Sequence, residues 1–223
     1  MSPVHDVDFL AFRHLRDRTG LFVDIGANRG QSALSYRAVC PDAPIVSFEA
    51  NPAMHAQLAG LGLDRFTFHL VAISNYTGQI TLHVPRQNEV DYLEECTTSI
   101  ELYYGKPWIQ ARTEARGGTL HLTPVDVPSA TLDSFDLRPD VIKIDVEGAE
   151  LAAVEGARET ITRYHPVLLI ENGDWSSVTE FLAAFGYRCT MYDPANDTIV
   201  PLRGETTNSI YVCDPWPFTT PQC

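Results

Sequence analysis

The 223-residue sequence predicts an α/β fold in which a mostly parallel sheet carries helices on both faces. Three observations point there. Apolar runs of strand length alternate with segments of helical period along the chain, without an internal repeat. The run Leu21-Phe22-Val23-Asp24-Ile25 enters a glycine turn and leads at once into helix-compatible sequence. Further apolar runs also end in acids, at Glu49, Asp145 and Glu171, and the carboxyl ends of strands are where open α/β sheets take ligands. At this length one domain over 1–223 buries a substantial core, with 86–118 expected as a lid and 214–223 as a C-terminal surface tail.

The elements follow in order. Val7, Leu10, Ala11, His14 and Leu15 fall at helical spacing and predict a leading helix over 7–17. The first strand covers 21–25, a helix over 31–39 is ended by Pro41, and the second strand covers 45–49. Pro52 stands early in a helix to about 61, where its missing N–H costs little. A third strand spans 66–73, and a turn at 75–78 leads into another over 79–84. Residues 86–118 mix charge with Tyr92, Tyr103, Tyr104 and Trp108 and show no sustained period; a connection this long with flat aromatic faces is expected to close over a ligand. Thr97, Thr98 and Ser99 within it suit either a ligand contact or a turn. A strand over 119–125 and a short capped element over 131–135 precede the strand from 141. The helix after Gly148 has Leu151, Val154 and Ile161 on one face. A strand over 167–170, a helix over 175–185, a strand over 187–192, a turn at 193–197 and a last strand over 208–213 complete the chain.

Composition narrows the partners. With 29 acidic against 16 basic residues the formal net charge is −13, which repels a phosphate backbone, so no nucleic-acid partner is expected. Lys106, Arg112 and Arg116 are the nearest approach to a basic cluster. No apolar run reaches the length of a membrane span, and Met-Ser-Pro-Val-His-Asp at the start lacks the basic-then-apolar pattern of a secretory signal. Five scattered cysteines without a Cys-x-x-Cys pair suit a reducing compartment, so a cytoplasmic location is expected.

The glycine turn names the ligand class. Gly26 and Gly30 supply positive φ and close approach, and Asn28 tolerates the left-handed region. Counted from Gly26, Asn28 and Gln31 stand where Gly-x-Gly-x-x-Gly needs glycines, so the dinucleotide pattern fails, and no Tyr-x-x-x-Lys pair of a nicotinamide oxidoreductase is present. Asp24, two residues before Gly26, instead suits the amino acid portion of S-adenosyl-L-methionine, and Glu49, 23 residues after Gly26, suits a pair of ribose hydroxyls. Ala72 and Ile73, at the end of the third strand, lie where an adenine ring would rest, or fill core.

Phe22-Val-Asp-Ile-Gly-Ala-Asn-Arg-Gly, Phe48-Glu49-Ala-Asn-Pro, Ala72-Ile-Ser with Gly78, Lys143-Ile-Asp-Val-Glu-Gly-Ala-Glu and Pro166-Val-Leu-Leu-Ile-Glu together resemble the FkbM family of S-adenosylmethionine-dependent methyltransferases. The resemblance runs over about 21–212 and does not cover the lid or the termini. It implies a class I methyltransferase fold, Rossmann-like, with a seven-stranded sheet whose last strand is antiparallel. It also implies methyl transfer to oxygen, with sugars, glycolipids or polyketide hydroxyls as acceptors. Asp24, Gly26, Asn28, Gly30 and Glu49 would hold the cofactor, and the candidate set extends to Ala27, Gln31, Ser32, Ala50, Ala72, Ile73 and Asp145. Asp145, Glu147 and Glu171 would face the reacting hydroxyl, either with Asp145 as first choice of general base or with all three holding Mg²⁺.

The expected reaction is O-methylation of a sugar, oligosaccharide or glycosylated metabolite. A catechol, phenolic or polyketide acceptor is the alternative within the class, and a noncatalytic ligand-binding module the alternative outside it. A homodimer is left open. Lys143 is expected to form a structural ion pair, and His69 and His121 to be structural rather than basic catalysts.

Overall fold

A computed structural model describes residues 4–15 and 20–213; the expected tail at 214–223 lies outside the described residues. In chain order the elements are β1 (Leu21–Ile25), α1 (Gln31–Val39), β2 (Ile45–Glu49), α2 (His55–Ala59), β3 (Phe66–Leu70), β4 (Ala72–Ile73), β5 (Gly78–Gln87), β6 (Val90–Asp91), α3 (Ile100–Gly105), α4 (Pro107–Arg116), β7 (Leu120–Ala130), β8 (Pro139–Ile144), α5 (Glu150–Glu155), α6 (Arg158–Tyr164), β9 (Val167–Glu171), α7 (Trp175–Ala183), β10 (Arg188–Asp193), β11 (Thr198–Pro201) and β12 (Asn208–Val212). The leading segment is a 3-10 helix, Val7–Leu15, and another 3-10 turn, Pro52–Met54, precedes α2.

The main sheet has the order β11-β10-β12-β9-β8-β1-β2-β3. Strands β3, β2, β1, β8 and β9 run parallel, and β12 inserts antiparallel between β9 and β10. These are the seven strands implied above, with the last one antiparallel. An eighth, β11, forms a hairpin on β10, with Tyr192 opposite Ile199. It is four residues long and nowhere fully buried, too little pattern to read from sequence.

Period-two alternation places the core on both faces. Phe22, Val141, Leu169 and Ile210 bury toward α1 and the leading 3-10 helix, where Phe22 stacks on Tyr36 at a 4.0 Å ring separation. Val23, Ile142, Leu168 and Tyr211 bury on the opposite side, against α5, α6 and α7. Strands covered on both faces have no solvent side to make polar, which is why they read as continuous apolar runs.

The expected third strand divides. β3 stays in the main sheet, whereas Ala72 and Ile73 pair with Ser129 and Ala130 of β7 in a separate four-stranded sheet, β4-β7-β5-β6. The alternation of side chains stops at Leu70: Val71, Ala72 and Ile73 continue as an apolar run, and the chain bends at Val71 between the two strands. β7 runs on through Pro124 and Pro128; along that stretch it is paired on one side, by β5, and prolines are tolerated on such an edge. The 86–118 segment contains two short helices where no period was legible. Ser99 accepts from Leu102 N at 3.3 Å to cap α3, Pro107 opens α4, and Tyr103, Ile109 and Leu120 form a small core beneath them.

No helix among the described residues is long and apolar enough to cross a membrane. Ile142, fully buried at the centre of β8, has no room to relax. Ile142→Ala is expected to destabilise the fold by about 2–5 kcal/mol, read as a lower midpoint of chemical unfolding.

Candidate functional site

The site forms where β1, β2 and β8 end side by side. After Ile25 the chain turns through Gly26, whose φ is +86; a Cβ there would stand 1.8 Å from the Asp145 carbonyl oxygen, so only glycine lets the turn press against the loop that follows β8. The amides of this turn are spent inside the fold. Gly26 N and Ala27 N donate to Phe48 O at 2.9 and 3.0 Å, Asn28 N to Glu49 Oε2 at 2.7 Å, Arg29 N to Gln31 Oε1 at 3.0 Å and Gly30 N to Ala27 O at 2.7 Å. Phosphate cradles aim such amides at the ligand, and this turn does not. It suits a cofactor held by its hydroxyls and apolar ring, without phosphate.

A cleft opens above the turn. Of the residues the sequence nominated for cofactor contact, Gly26, Asn28, Glu49, Ala50, Ala72, Ile73 and Asp145 line it. Glu49 is 9% exposed, and each of its carboxylate oxygens accepts one backbone N–H, from Asn28 and Asn51, both at 2.7 Å. Burial raises its pKa and those two bonds oppose the rise, leaving further acceptor capacity on each oxygen. Val71, in the bend before β4, and Ile80 and Leu82, in β5 of the second sheet, add an apolar wall that sequence reading missed. Leu93, Glu94, Cys96 and Thr98 of the 86–118 segment complete the lining, tied down by Asn51 Nδ2 donating to Leu93 O at 3.0 Å and Asn28 Nδ2 to Glu94 O at 3.2 Å.

Five nominated residues stand elsewhere. Ala27 is buried in a small core with Met54 and Leu58, Gly30 precedes α1 as its N-cap, Gln31 accepts from the turn, and Ser32 is buried. Asp24 is fully buried and does not face the cleft as the sequence reading expected. Its Oδ2 accepts from Ser47 Oγ at 3.1 Å, and its Oδ1, without a hydrogen-bond partner, lies 4.0 Å from Lys143 Nζ. Burial, partly offset by Lys143, raises the Asp24 pKa to about 6. The cause of the displacement is pairing: Asp24 and Lys143 are direct neighbours across the β1–β8 ladder.

Lys143 connects this buried acid to the reactive edge. It is 5% exposed, and its Nζ donates to Asp145 Oδ2 at 2.9 Å and to Gly26 O at 3.4 Å, the ion pair the sequence led one to expect. Asp145, Glu147 and Glu171 converge, each offering an oxygen within 4.8 Å of the others. Burial opposes ionisation of Asp145, but the Lys143 ammonium overrides it and lowers the pKa. Glu171 goes the other way: burial, the adjacent Asp145 charge and a hydrogen bond shared with Asp145 raise it to about 8. Within this pair Lys143 favours the anion at Asp145, and the raised pKa falls on Glu171.

The donor set of three carboxylates suits a hard cation such as Mg²⁺. Two of the three already face ammonium groups, Asp145 at Lys143 and Glu147 at Lys106. Glu147 sits at φ +53 on a loop held by Glu150, whose Oε1 accepts from Val146 N at 3.3 Å and Gly148 N at 3.0 Å. Thr97 Oγ1 donates to Glu147 O at 3.1 Å, so that residue of the aromatic segment serves the loop, while Ser99 serves a cap. The sequence marked Thr97 only as a ligand or turn residue and Lys106 only as part of a loose basic cluster, with no sign that both serve Glu147; Glu150 belongs to the Lys143–Glu150 motif and was legible there as a motif member only. His69 packs between Phe48 and Phe135, and His121 is exposed on β7; neither lines the cleft.

Beyond the acids a second groove opens, lined by Leu102, Lys106, Trp108, Asn172 and Thr207 among others. Glu147 and Glu171 line both it and the first cleft, and so stand at the junction.

The family model of the methyltransferase FkbM domain matches residues 24–189. A curated relative, the 2-O-methyltransferase NoeI of Sinorhizobium fredii, is 29% identical over 150 residues, covering 64% of this chain and 59% of its own. The chain thus spans less than two thirds of that relative's length. Among solved structures, the methyltransferase FkbM of Methylobacillus flagellatus superposes with a TM-score of 0.55 at 17% identity, over 87% of this chain and 43% of the other, a likeness of fold.

The raised Glu171 pKa is a statement about stability as well as chemistry. The folded protein holds this proton up to about pH 8, whereas the unfolded chain releases it near the ordinary value of 4.5, so stability contributed by the group is lost as pH rises through that window. Glu171→Gln is expected to raise the melting temperature relative to wild type more at pH 8.5 than at pH 5, measured by paired thermal melts.

Proposed function

The chain belongs to the FkbM methyltransferase family, and we propose that it is an S-adenosyl-L-methionine-dependent O-methyltransferase acting on a hydroxyl of a sugar, oligosaccharide or glycosylated metabolite. The observation that carries this reading is the meeting of two clefts at Glu147 and Glu171, one floored by the glycine turn and Glu49, the other lined by the aromatic segment. The Sinorhizobium relative, a 2-O-methyltransferase, supports oxygen as the acceptor atom.

Glu49 would accept the ribose hydroxyls, with Val71, Ala72, Ile73, Ile80 and Leu82 enclosing the adenine and Gly26 and Asn28 flooring the remainder. The cofactor, when bound, supplies a methyl group activated by its sulfonium for in-line displacement. Holding the acceptor oxygen behind that methyl contributes on the order of 7–11 kcal/mol. A sugar hydroxyl must lose its proton before or during attack, and Glu171 takes it; a positioned base typically contributes about 10²- to 10⁴-fold. Asp145, kept anionic by Lys143, favours proton uptake by its neighbour, and Lys106 balances Glu147. Residues 86–118 act as the acceptor lid: 93–98 close the cofactor side and 102–108 line the acceptor side.

A second reading has Asp145, Glu147 and Glu171 holding Mg²⁺, favoured by their convergence. Such an ion would polarise the acceptor hydroxyl, and Lys143 and Lys106 would have to release two of the carboxylates.

Transfer from methyl-labelled S-adenosyl-L-methionine to a panel of mono- and oligosaccharides, with Mg²⁺ and with a chelator, tests both. Label on a sugar oxygen that survives chelation, rises with pH through about 8 and falls about 10²- to 10⁴-fold in Glu171→Gln supports the carboxylate base. Loss on chelation selects the metal. No label on any sugar, with the cofactor bound, overturns the sugar acceptor.

Glu49→Ala is expected to weaken binding of S-adenosyl-homocysteine about tenfold or more, measured by calorimetry, in a variant that still folds but melts at a lower temperature because Asn28 N and Asn51 N lose their acceptor. An unchanged dissociation constant would remove Glu49 from the ribose site.

A further inference from the structure

The acceptor groove does not end beside the acids. Asn172 and Thr206 line it and also line a recess that continues to Trp175, Leu202 and Gly204. The shared floor is fixed, with Asn172 N donating to Thr207 O and Asn172 Nδ2 to Thr206 O, both at 2.8 Å. Trp108 stands on the lid side, 48% exposed although Arg112 and Lys106 come within 5.2 and 5.9 Å of the ring centroid. Trp175, the first residue of α7, lines the far recess, 42% exposed, its Nε1 donating to Cys189 Sγ at 3.4 Å.

Two half-exposed indoles along one continuous groove, rimmed by Asn172, Thr206 and Thr207, form an alternation of flat apolar faces and hydrogen-bonding edges. A pyranose ring has that same division, C–H faces and hydroxyl edges. Glu101, Glu147 and Glu205 line the two stretches against a single cation, Lys106, so an anionic chain would be repelled.

We propose that this groove binds a linear, uncharged oligosaccharide of two or more rings, the ring to be methylated lying between Trp108 and the acids and a following ring lying on Trp175. Trp175 thereby sets the preference for acceptor length. This rests on the sugar-acceptor reading above.

The test measures kcat/KM for methyl transfer to glucose and N-acetylglucosamine ladders of one to four β-1,4-linked rings, with an oligogalacturonate ladder beside them. In the wild type, kcat/KM rises about tenfold from one ring to three on an uncharged ladder and stays low on the uronate. In Trp175→Ala the three-ring to one-ring ratio falls close to 1, while Trp175→Phe, which keeps a flat ring, retains most of the gain. A wild-type rate flat in ring number, or a length preference that survives in Trp175→Ala, overturns the groove assignment and leaves the sugar reading standing. No label on any sugar, with the cofactor bound, overturns that reading and the groove with it.

Discussion

One buried ammonium organises the reactive edge of this protein. Lys143 Nζ reaches Asp24 at the end of β1, Asp145 just past β8 and the carbonyl of Gly26 in the glycine turn. Burial of a lysine works against its charge, and here the two flanking carboxylates reverse that and raise its pKa. A buried ion pair is weak support for stability taken alone, but removing one partner leaves an uncompensated charge in a dry interior. The two strands and the turn are therefore locked to one another by charge as well as by the backbone ladder.

From that lock the polarity of the acids follows. Lys143 satisfies Asp145, and Asp145 as an anion raises the proton affinity of Glu171, which shares its hydrogen bond. Two carboxyl groups with the same intrinsic chemistry are pushed apart in pKa by a cation that reaches only one of them. Glu147 is set apart by backbone conformation: its left-handed φ and the Glu150 carboxylate beneath the loop turn it toward Lys106.

The aromatic segment is joined to this arrangement. Thr97 bonds the carbonyl of Glu147, Lys106 pairs with its side chain, and a Cβ on Gly148 would press within 2.9 Å of Leu102. The basic residues that made up the nearest thing to a positive cluster are each engaged: Lys106 with Glu147, Arg112 with Glu95, Arg116 with the Tyr92 hydroxyl. Any movement of this segment would have to break contacts to the loop that carries Glu147.

The sequence by itself determined the sheet and its functional edge. Strands buried on both faces must be continuously apolar, and Gly26 must be glycine because another strand's loop passes against it, so both left signals at fixed, local positions. Asp145, Glu147 and Glu171 were legible for the same reason: each interrupts or ends an apolar run. Tertiary structure alone decided what those acids touch. That Asp24 turns to Lys143 rather than to the cleft, that the Asp145 charge raises the pKa of Glu171, and that Ala72 leaves the main sheet all depend on partners far away in the chain. Local periodicity carries no information about such partners, because burial, pairing and charge are set by which distant side chains arrive beside a residue once the sheets have assembled.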